Sequence, residues 1–174
     1  MTALDYQTIN NMASQLDDKT GNGPWRALLQ LLYSTGVADT LQIQNSLLLT
    51  RDQVRRLIDQ VQACSAGLPH ILQTLSQSTQ RAGVRGRTPT IYRLGESGAA
   101  LLREMGHKDA SGCGLKSETE IQHAVLILDI RLAALKAGYL VITDRALQYG
   151  DGKCLRPDNR VTLPDNEILL FESE

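Results

Sequence analysis

The sequence has few of the residues on which several common classes of protein depend. Its three cysteines, Cys64, Cys113 and Cys154, are widely spaced and form no CxxC pair, which argues against a disulfide framework or a zinc site and favours free thiols. Aromatic residues make up 4% of the chain, too few for a stacking surface that binds single-stranded nucleic acid. The sequence has no GxxxxGKS/T, HExxH or GxSxG motif, so no common enzyme chemistry is visible and no cofactor is expected.

Long apolar runs are also missing. The longest, LLQLLY and AVLILDI, are far shorter than the roughly 20 residues that span a bilayer, and the N-terminal MTALDYQTINN lacks the basic and apolar regions of a signal peptide. We therefore expect a cytoplasmic protein without a membrane partner. Its 174 residues, 42% of them hydrophobic, suffice for one or two compact domains.

Positive charge is concentrated in one segment, although the net charge of the chain is only -1. Between residues 51 and 93 there are seven arginines, no lysine and two acids, a local net charge of +5 that leaves -6 for the rest. Such segregation favours a basic face that attracts a polyanion, and the planar guanidinium suits phosphate and guanine. The arginines are Arg51, Arg55, Arg56, Arg81, Arg85, Arg87 and Arg93.

Two helices are predicted ahead of this segment. The first covers PWRALLQLLYST, residues 24–35, with Pro at its first position and a glycine at its end. A second, short helix runs from about residue 39 to 47. Its expected cap is Asp39 or Thr40, and its expected apolar contacts are Leu41 and Leu47.

A third helix begins after Thr50, which forms a capping box with Gln53. Its apolar stripe is Val54, Leu57, Ile58 and Val61, and the opposite face carries Asp52, Arg55, Arg56, Asp59 and Gln60. A short helix, a tight connection and a helix with polar donors near its start indicate a helix-turn-helix, whose last helix enters the major groove of DNA. Arg51, Gln53, Arg55 and Arg56 are the predicted contacts.

The stretch RAGVRGRTP, residues 81–89, is predicted to be the tip of a β-hairpin wing. Its glycines allow a sharp turn, and Arg81, Arg85 and Arg87 favour a position along the sugar-phosphate backbone. The strand TIYRL follows and adds Arg93 as a predicted contact. Its partner is expected within residues 68–77, although the leucines there also fit helical spacing, so strand and helix both stay open for part of that segment.

The run from LQIQNSLLLTRDQVRRLIDQVQ to RTPTIYRLGESGAALL resembles the winged-helix pattern of multiple-antibiotic-resistance-type regulators. The resemblance covers about residues 24–105. It implies binding of double-stranded DNA and a dimerising helix after the wing. YRLGESGAALL departs from the pattern at Gly95, where Thr is common.

The composition changes after residue 105, where a glycine-rich polar stretch begins. Ser117 and Glu120 form a capping box for a helix whose apolar residues follow a short heptad pattern: Ile121, Val125, Leu128, Leu132 and Leu135. YLVIT and LRPDNRVTLPDNEILLFESE then indicate about three strands. The expected fold class is α+β, with an N-terminal helical segment (1–20), a winged helix-turn-helix domain (21–106), a linker (107–117) and a small α+β unit (118–174).

Together with the winged helix, this C-terminal unit also resembles the replication-relaxation family of mobile elements, whose C-terminal part resembles a reduced restriction-endonuclease-like fold. The resemblance implies a metal-dependent nuclease as the alternative function, with Asp158, Glu172 and Glu174 as its acids. Glu174 stands where such nucleases carry a lysine. We therefore expect no DNA cleavage and assign no metal site, although these acids could still bind Mg²⁺ or Mn²⁺, and we interpret them as structural or solvent-facing.

The sequence as a whole predicts a double-stranded-DNA-binding protein. We expect it to act as a homodimeric transcriptional regulator, or as a replication or mobilisation accessory protein of a plasmid or other mobile element. Two apolar helices were available for dimer formation: the N-terminal segment, with Ile9, Met12 and Leu16, and the heptad helix.

Overall fold

A computed structural model describes residues 4–21, 23–65, 67–75, 90–112, 117–143, 147–149, 153–155, 159–163 and 167–171. The chain forms two compact units, Met1–Gln122 and His123–Glu174. The domain boundaries expected from the sequence stay a prediction. Within the described residues, no helix is long and apolar enough to cross a membrane.

The first unit contains the helices and strands of a winged helix-turn-helix. Its elements are α1 (Tyr6–Thr20), α2 (Pro24–Thr35), β1 (Val37–Asp39), α3 (Thr40–Leu47), α4 (Arg51–Ala63), β2 (Leu72–Leu75), β3 (Ile91–Leu94) and α5 (Glu96–Glu104). The predictions of α2, α3 and α4 are confirmed. β1 was not predicted, because three apolar and acidic residues between two helices give no strand pattern of their own.

The three strands of this unit form one antiparallel sheet in the order β1-β3-β2. β3 lies in the centre, with Arg93 opposite Val37 on one side and opposite Gln73 on the other. β2 and β3 are the two strands of the wing, so the prediction of a strand within residues 68–77 is confirmed. The predicted tip, residues 81–89, lies outside the described residues.

The core of the first unit is formed by all of its helices and by the strand that joins α2 to α3. Its most deeply buried large side chains include Leu16, Trp25, Leu28, Leu32, Ile43, Ile71 and Leu102. Because Ile9, Met12 and Leu16 of α1 are all buried within the chain, the prediction that this stripe is available for a dimer is wrong. Burial of these side chains instead stabilises the packing of α1 on the unit.

The apolar contacts predicted for α3 are also wrong. Leu41 is exposed and Leu47 is only half-buried, whereas Gln42 and Ile43 are fully buried. The reason lies at the start of the helix, where the Gln42 side chain turns back to accept a hydrogen bond from the main-chain nitrogen of Asp39. This arrangement directs Ile43 into the core and leaves Leu41 facing solvent.

The segment after α5 packs against the first unit. Ala110 is buried, and its carbonyl oxygen accepts a hydrogen bond from Arg103 Nη1 at 2.7 Å. The Tyr33 hydroxyl donates to Asp109 Oδ1 at 2.6 Å, which raises the pKa of the Tyr33 phenol and lowers the pKa of the Asp109 carboxyl. These contacts fix part of the stretch that the sequence suggests is a linker.

The long helix α6 (Glu118–Lys136) begins with the predicted capping box. Ser117 N donates to Glu120 Oε2 at 2.9 Å, and Glu120 N donates to Ser117 Oγ at 3.2 Å. The first three apolar residues of the heptad pattern, Ile121, Val125 and Leu128, are buried. Further along the same stripe, Leu135 is 47% exposed.

The second unit has more strands than the three predicted. β4 (Leu140–Thr143), β7 (Asn159–Thr162) and β8 (Ile168–Phe171) form an antiparallel sheet in the order β4-β7-β8, which confirms those three. β5 (Leu147–Tyr149) and β6 (Lys153–Leu155) form a separate two-stranded pair. Strands of three residues are too short to show an alternating pattern, which is why this pair was missed.

Candidate nucleic-acid interface

Both helices of the helix-turn-helix begin with a capping box. Asp39 caps α3 by accepting a hydrogen bond from Gln42 N at 2.8 Å, and Thr50 caps α4 in a second capping box with Gln53. Each box satisfies main-chain N–H groups that a helix start otherwise leaves unpaired. The helix-turn-helix therefore presents α4 in a defined orientation.

Gln53, one of the predicted DNA contacts, has a structural role in this turn. Its Oε1 accepts hydrogen bonds from Thr50 N at 2.8 Å and from Thr50 Oγ1 at 2.9 Å. These bonds occupy the oxygen end of the amide. Only the Nε2 group is left for a nucleic acid, so a bidentate contact to adenine, which uses both ends of the amide, would require the capping box to open.

The two faces of α4 differ as the sequence predicts. Val54, Leu57, Ile58 and Val61 are at most 4% exposed. The opposite face exposes Arg51, Asp52, Arg55, Arg56 and Asp59. Among the described residues, the guanidinium groups of Arg51, Arg55 and Arg56 make no hydrogen bond or ion pair. The Arg26–Asp17 ion pair joins α2 to α1 and does not involve α4. The three predicted arginines of α4 therefore keep their donors available for a ligand.

A shallow depression of about 620 Å³ runs along this exposed face. It is lined by Lys19, Asp52, Arg55, Arg56, Asp59, Gln60 and Ala63. Six of these residues belong to α4, and Lys19 comes from the last turn of α1. Gln60 joins the two helices, because its Nε2 donates to the main-chain oxygen of Lys19 at 3.0 Å. The contribution of α1 to this surface was not predicted from the sequence.

The base of the wing contains a tyrosine and an arginine whose side chains are half-buried. Burial raises the pKa of the Tyr92 phenol, and the carboxylate of Asp59 raises it further, while a hydrogen bond with Thr90 acts in the opposite direction. Arg93, the next residue, is half-buried, and its Nε donates to Gln73 Oε1 on β2 at 2.8 Å. Arg93 thus cross-links the wing strands at their base.

The wing is attached to α5 by a close approach of two main chains. A Cβ atom on Gly95 would lie 2.0 Å from the carbonyl oxygen of His70, and one on Gly98 would lie 2.4 Å from that of Ile71. Gly95 N donates to Ile71 O at 2.8 Å, and Ser97 Oγ donates to Pro69 O at 2.5 Å. Gly95, where the winged-helix pattern commonly has Thr, is therefore required by this close packing. No local sequence pattern indicated this requirement.

The remaining predicted site residues fall outside the described part of the chain. These are Arg81, Arg85 and Arg87 of the wing tip, and the three acids of the nuclease alternative, Asp158, Glu172 and Glu174. Within the described ranges, no group of three His, Cys, Asp or Glu side chains is arranged to hold a metal ion. The roles assigned to all of these residues stay predictions.

Comparison with known proteins adds little to this geometry. No protein-family model matches the chain, and no curated protein matches it significantly. Among solved structures, the chain is similar to the crystal structure of NadR in complex with 4-hydroxyphenylacetate. The sequence identity is 15% and the TM-score 0.39, and the match covers 79% of this chain and 86% of that chain.

Proposed function

We propose that this protein binds double-stranded DNA through α4 and the wing, and that it acts as a homodimeric transcriptional regulator. The observation that carries the proposal is the exposed face of α4, where the guanidinium groups of Arg51, Arg55 and Arg56 make no hydrogen bond or ion pair with the other described residues. Exposed guanidinium groups on the second helix of a helix-turn-helix are suited to guanine edges and phosphates in the major groove. The role in a mobile element, implied by the second resemblance, stays a prediction.

The wing gives independent support for the proposed DNA binding. β2 and β3 are paired antiparallel from Leu72 and Leu94 to Leu75 and Ile91, and the sequence between these strands contains Arg81, Arg85 and Arg87. Because α4 and the wing strands belong to the same compact unit, one duplex could contact both elements. Arginines on such a hairpin would add phosphate contacts, which position the protein on the duplex without reading its sequence.

The test is titration of a mixed-sequence DNA duplex with the whole protein at several salt concentrations. We expect binding that weakens steeply with salt, because each phosphate contact releases counterions. Replacing Arg85 and Arg87 with Ala should weaken binding to all duplexes similarly and lower the salt slope by roughly one to two. The control is Lys108→Ala, since Lys108 is an exposed basic residue of the first unit outside α4, the wing and α6. If the wild-type protein binds no duplex at low salt, the proposal is wrong.

The dimer is proposed on the surface of α6. Leu135, near the C-terminal end of the heptad stripe, is 47% exposed, and α1 is excluded because its apolar stripe is already buried. Most soluble oligomers have twofold symmetry, so two wings should address half-sites related by a dyad. Sedimentation at micromolar concentration, with and without DNA, should show the dimer. A monomer under both conditions would contradict the proposed dimer, and Leu135→Glu should weaken it.

A further inference from the structure

We infer that Lys19 extends the DNA-binding surface beyond the helix-turn-helix, by contacting a phosphate beside the groove that α4 enters. This role rests on the proposed function, and it extends the DNA contacts to α1, which lies before the residues (about 24–105) that resemble the winged-helix pattern. Lys19 lies in the last turn of α1. Its side chain is exposed and lines the same depression as Arg55 and Arg56.

The main chain of Lys19 is held in place next to α4. Gln60 Nε2 donates to the Lys19 carbonyl oxygen at 3.0 Å. Two residues earlier, Asp17 accepts hydrogen bonds from the Trp25 indole at 2.7 Å and from both terminal nitrogens of Arg26. The end of α1 is therefore fixed to α4 on one side and to α2 on the other, so the base of the lysine side chain has a defined position.

The Lys19 ammonium group is available to a ligand. Among the described residues it makes no hydrogen bond and no ion pair, although Asp52 and Asp59 line the same depression. The depression contains two arginines and two aspartates besides Lys19. Without Lys19 these charges would balance, so Lys19 gives this surface its net positive charge and thereby favours a polyanion.

The chemistry of lysine indicates which part of the duplex it contacts. An ammonium group is a compact point charge that binds phosphate without the paired geometry of guanidinium, whereas the arginines of α4 suit the paired acceptors of guanine. Lys19 also belongs to α1 and not to the helix proposed to enter the groove. We therefore assign it a phosphate contact, with Gln60 as the positioning residue.

The test compares Lys19→Ala with wild type on the same mixed-sequence duplexes over a range of salt concentrations. We expect Lys19→Ala to weaken binding by a similar factor on every duplex and to lower the salt slope by about one, while Lys19→Arg keeps the wild-type slope. Lys108→Ala is the matched control, because Lys108 is an exposed lysine of the same unit outside the depression. The thermal midpoint of unfolding should be unchanged in all three variants.

Gln60→Ala tests the positioning role. It should reproduce part of the loss in affinity and slope, and it should add nothing to the loss caused by Lys19→Ala in the double variant. A wild-type protein that binds DNA while Lys19→Ala keeps the slope of Lys108→Ala would overturn the inference and leave the proposed function standing. A wild-type protein that binds no DNA would instead overturn the proposed function, and the inference with it.

Discussion

The junction between β2 and α5 and the exposed face of α4 belong to the same unit but are built in opposite ways. At the junction, main chains approach so closely that Gly95 and Gly98 leave no room for a Cβ atom. On α4, the exposed side chains of Arg51, Arg55 and Arg56 make no hydrogen bond or ion pair with the other described residues. The comparison suggests that one region determines stability and the other determines binding, so substitutions should affect one property without the other.

The largest effect is expected at the junction. Gly95→Ala should lower the free energy of unfolding by about 3 kcal/mol, because the new methyl group would overlap the His70 carbonyl and force main chains apart. Urea denaturation measures the change. Gly67→Ala is the comparison, since Gly67 has a φ of 79° but open space around it, and should lose only about 1 kcal/mol of backbone strain. Equal losses in the two variants would show that the close approach does not matter.

The exposed face of α4 should show the reverse behaviour. Replacing Arg55 or Arg56 with Ala should cost about 1–3 kcal/mol of binding free energy at a preferred duplex if that arginine reads a base edge. The free energy of unfolding should change by less than about 0.5 kcal/mol, as for surface positions without partners. Titration and urea denaturation of the same preparations give both numbers. If the free energy of unfolding fell as much as the binding free energy, these arginines would contribute to stability as well as to binding, contrary to this expectation.

The exposed face of α4 can be predicted from the sequence, whereas the close packing between β2 and α5 cannot. The capping box of Thr50 and Gln53 and the buried stripe that starts at Val54 depend on residues three or four apart, so the order of residue types suffices. The need for glycine at position 95 comes from the carbonyl of His70, which is brought near by the pairing of β2 with β3. No local pattern records that contact.

The contact between Lys19 and Gln60 could not be predicted from the sequence for the same reason, because 41 residues separate them. The strand β1 is a further example, since Val37 pairs with Arg93 across the length of the helix-turn-helix. The stripe of α1 could be read as amphipathic from Ile9, Met12 and Leu16, but the sequence does not say whether such a stripe faces the same chain or a second copy. Packing decides that question, and here the same chain covers it.

The turn between α3 and α4 carries backbone strain next to the exposed face of α4. Leu48 has a φ of 54° and a ψ of 38°, and it is 91% exposed. A leucine in this left-handed conformation is disfavoured by roughly 1–2 kcal/mol, and its side chain gains little from burial here. Leu48→Gly should therefore raise the free energy of unfolding by about 0.5–1 kcal/mol after the greater freedom of glycine in the unfolded chain is included.

Urea denaturation measures this gain, and Leu41→Gly supplies the opposite control. Leu41 is also exposed, but it lies within α3 with helical geometry, where glycine costs about 1 kcal/mol. Opposite signs for the two substitutions would establish strain at Leu48. Destabilisation by both would mean that the left-handed turn is already well tolerated.

The smallest effect is expected at Asp17, which combines features of both regions because it is bonded yet about one third exposed. The hydrogen bonds from Arg26 lower the pKa of its carboxyl below the ordinary value of 3.8, with a further contribution from Trp25. A lowered pKa in the folded state stabilises the protein above pH 3.8, and this contribution disappears as the pH falls through the folded-state value. Asp17→Asn should therefore lose less than about 1 kcal/mol at pH 7, and the difference from wild type should shrink as the pH falls below 3.8. Urea denaturation at pH 7 and at successively lower pH checks this, and a difference that is constant with pH would show that the charge of Asp17 contributes nothing.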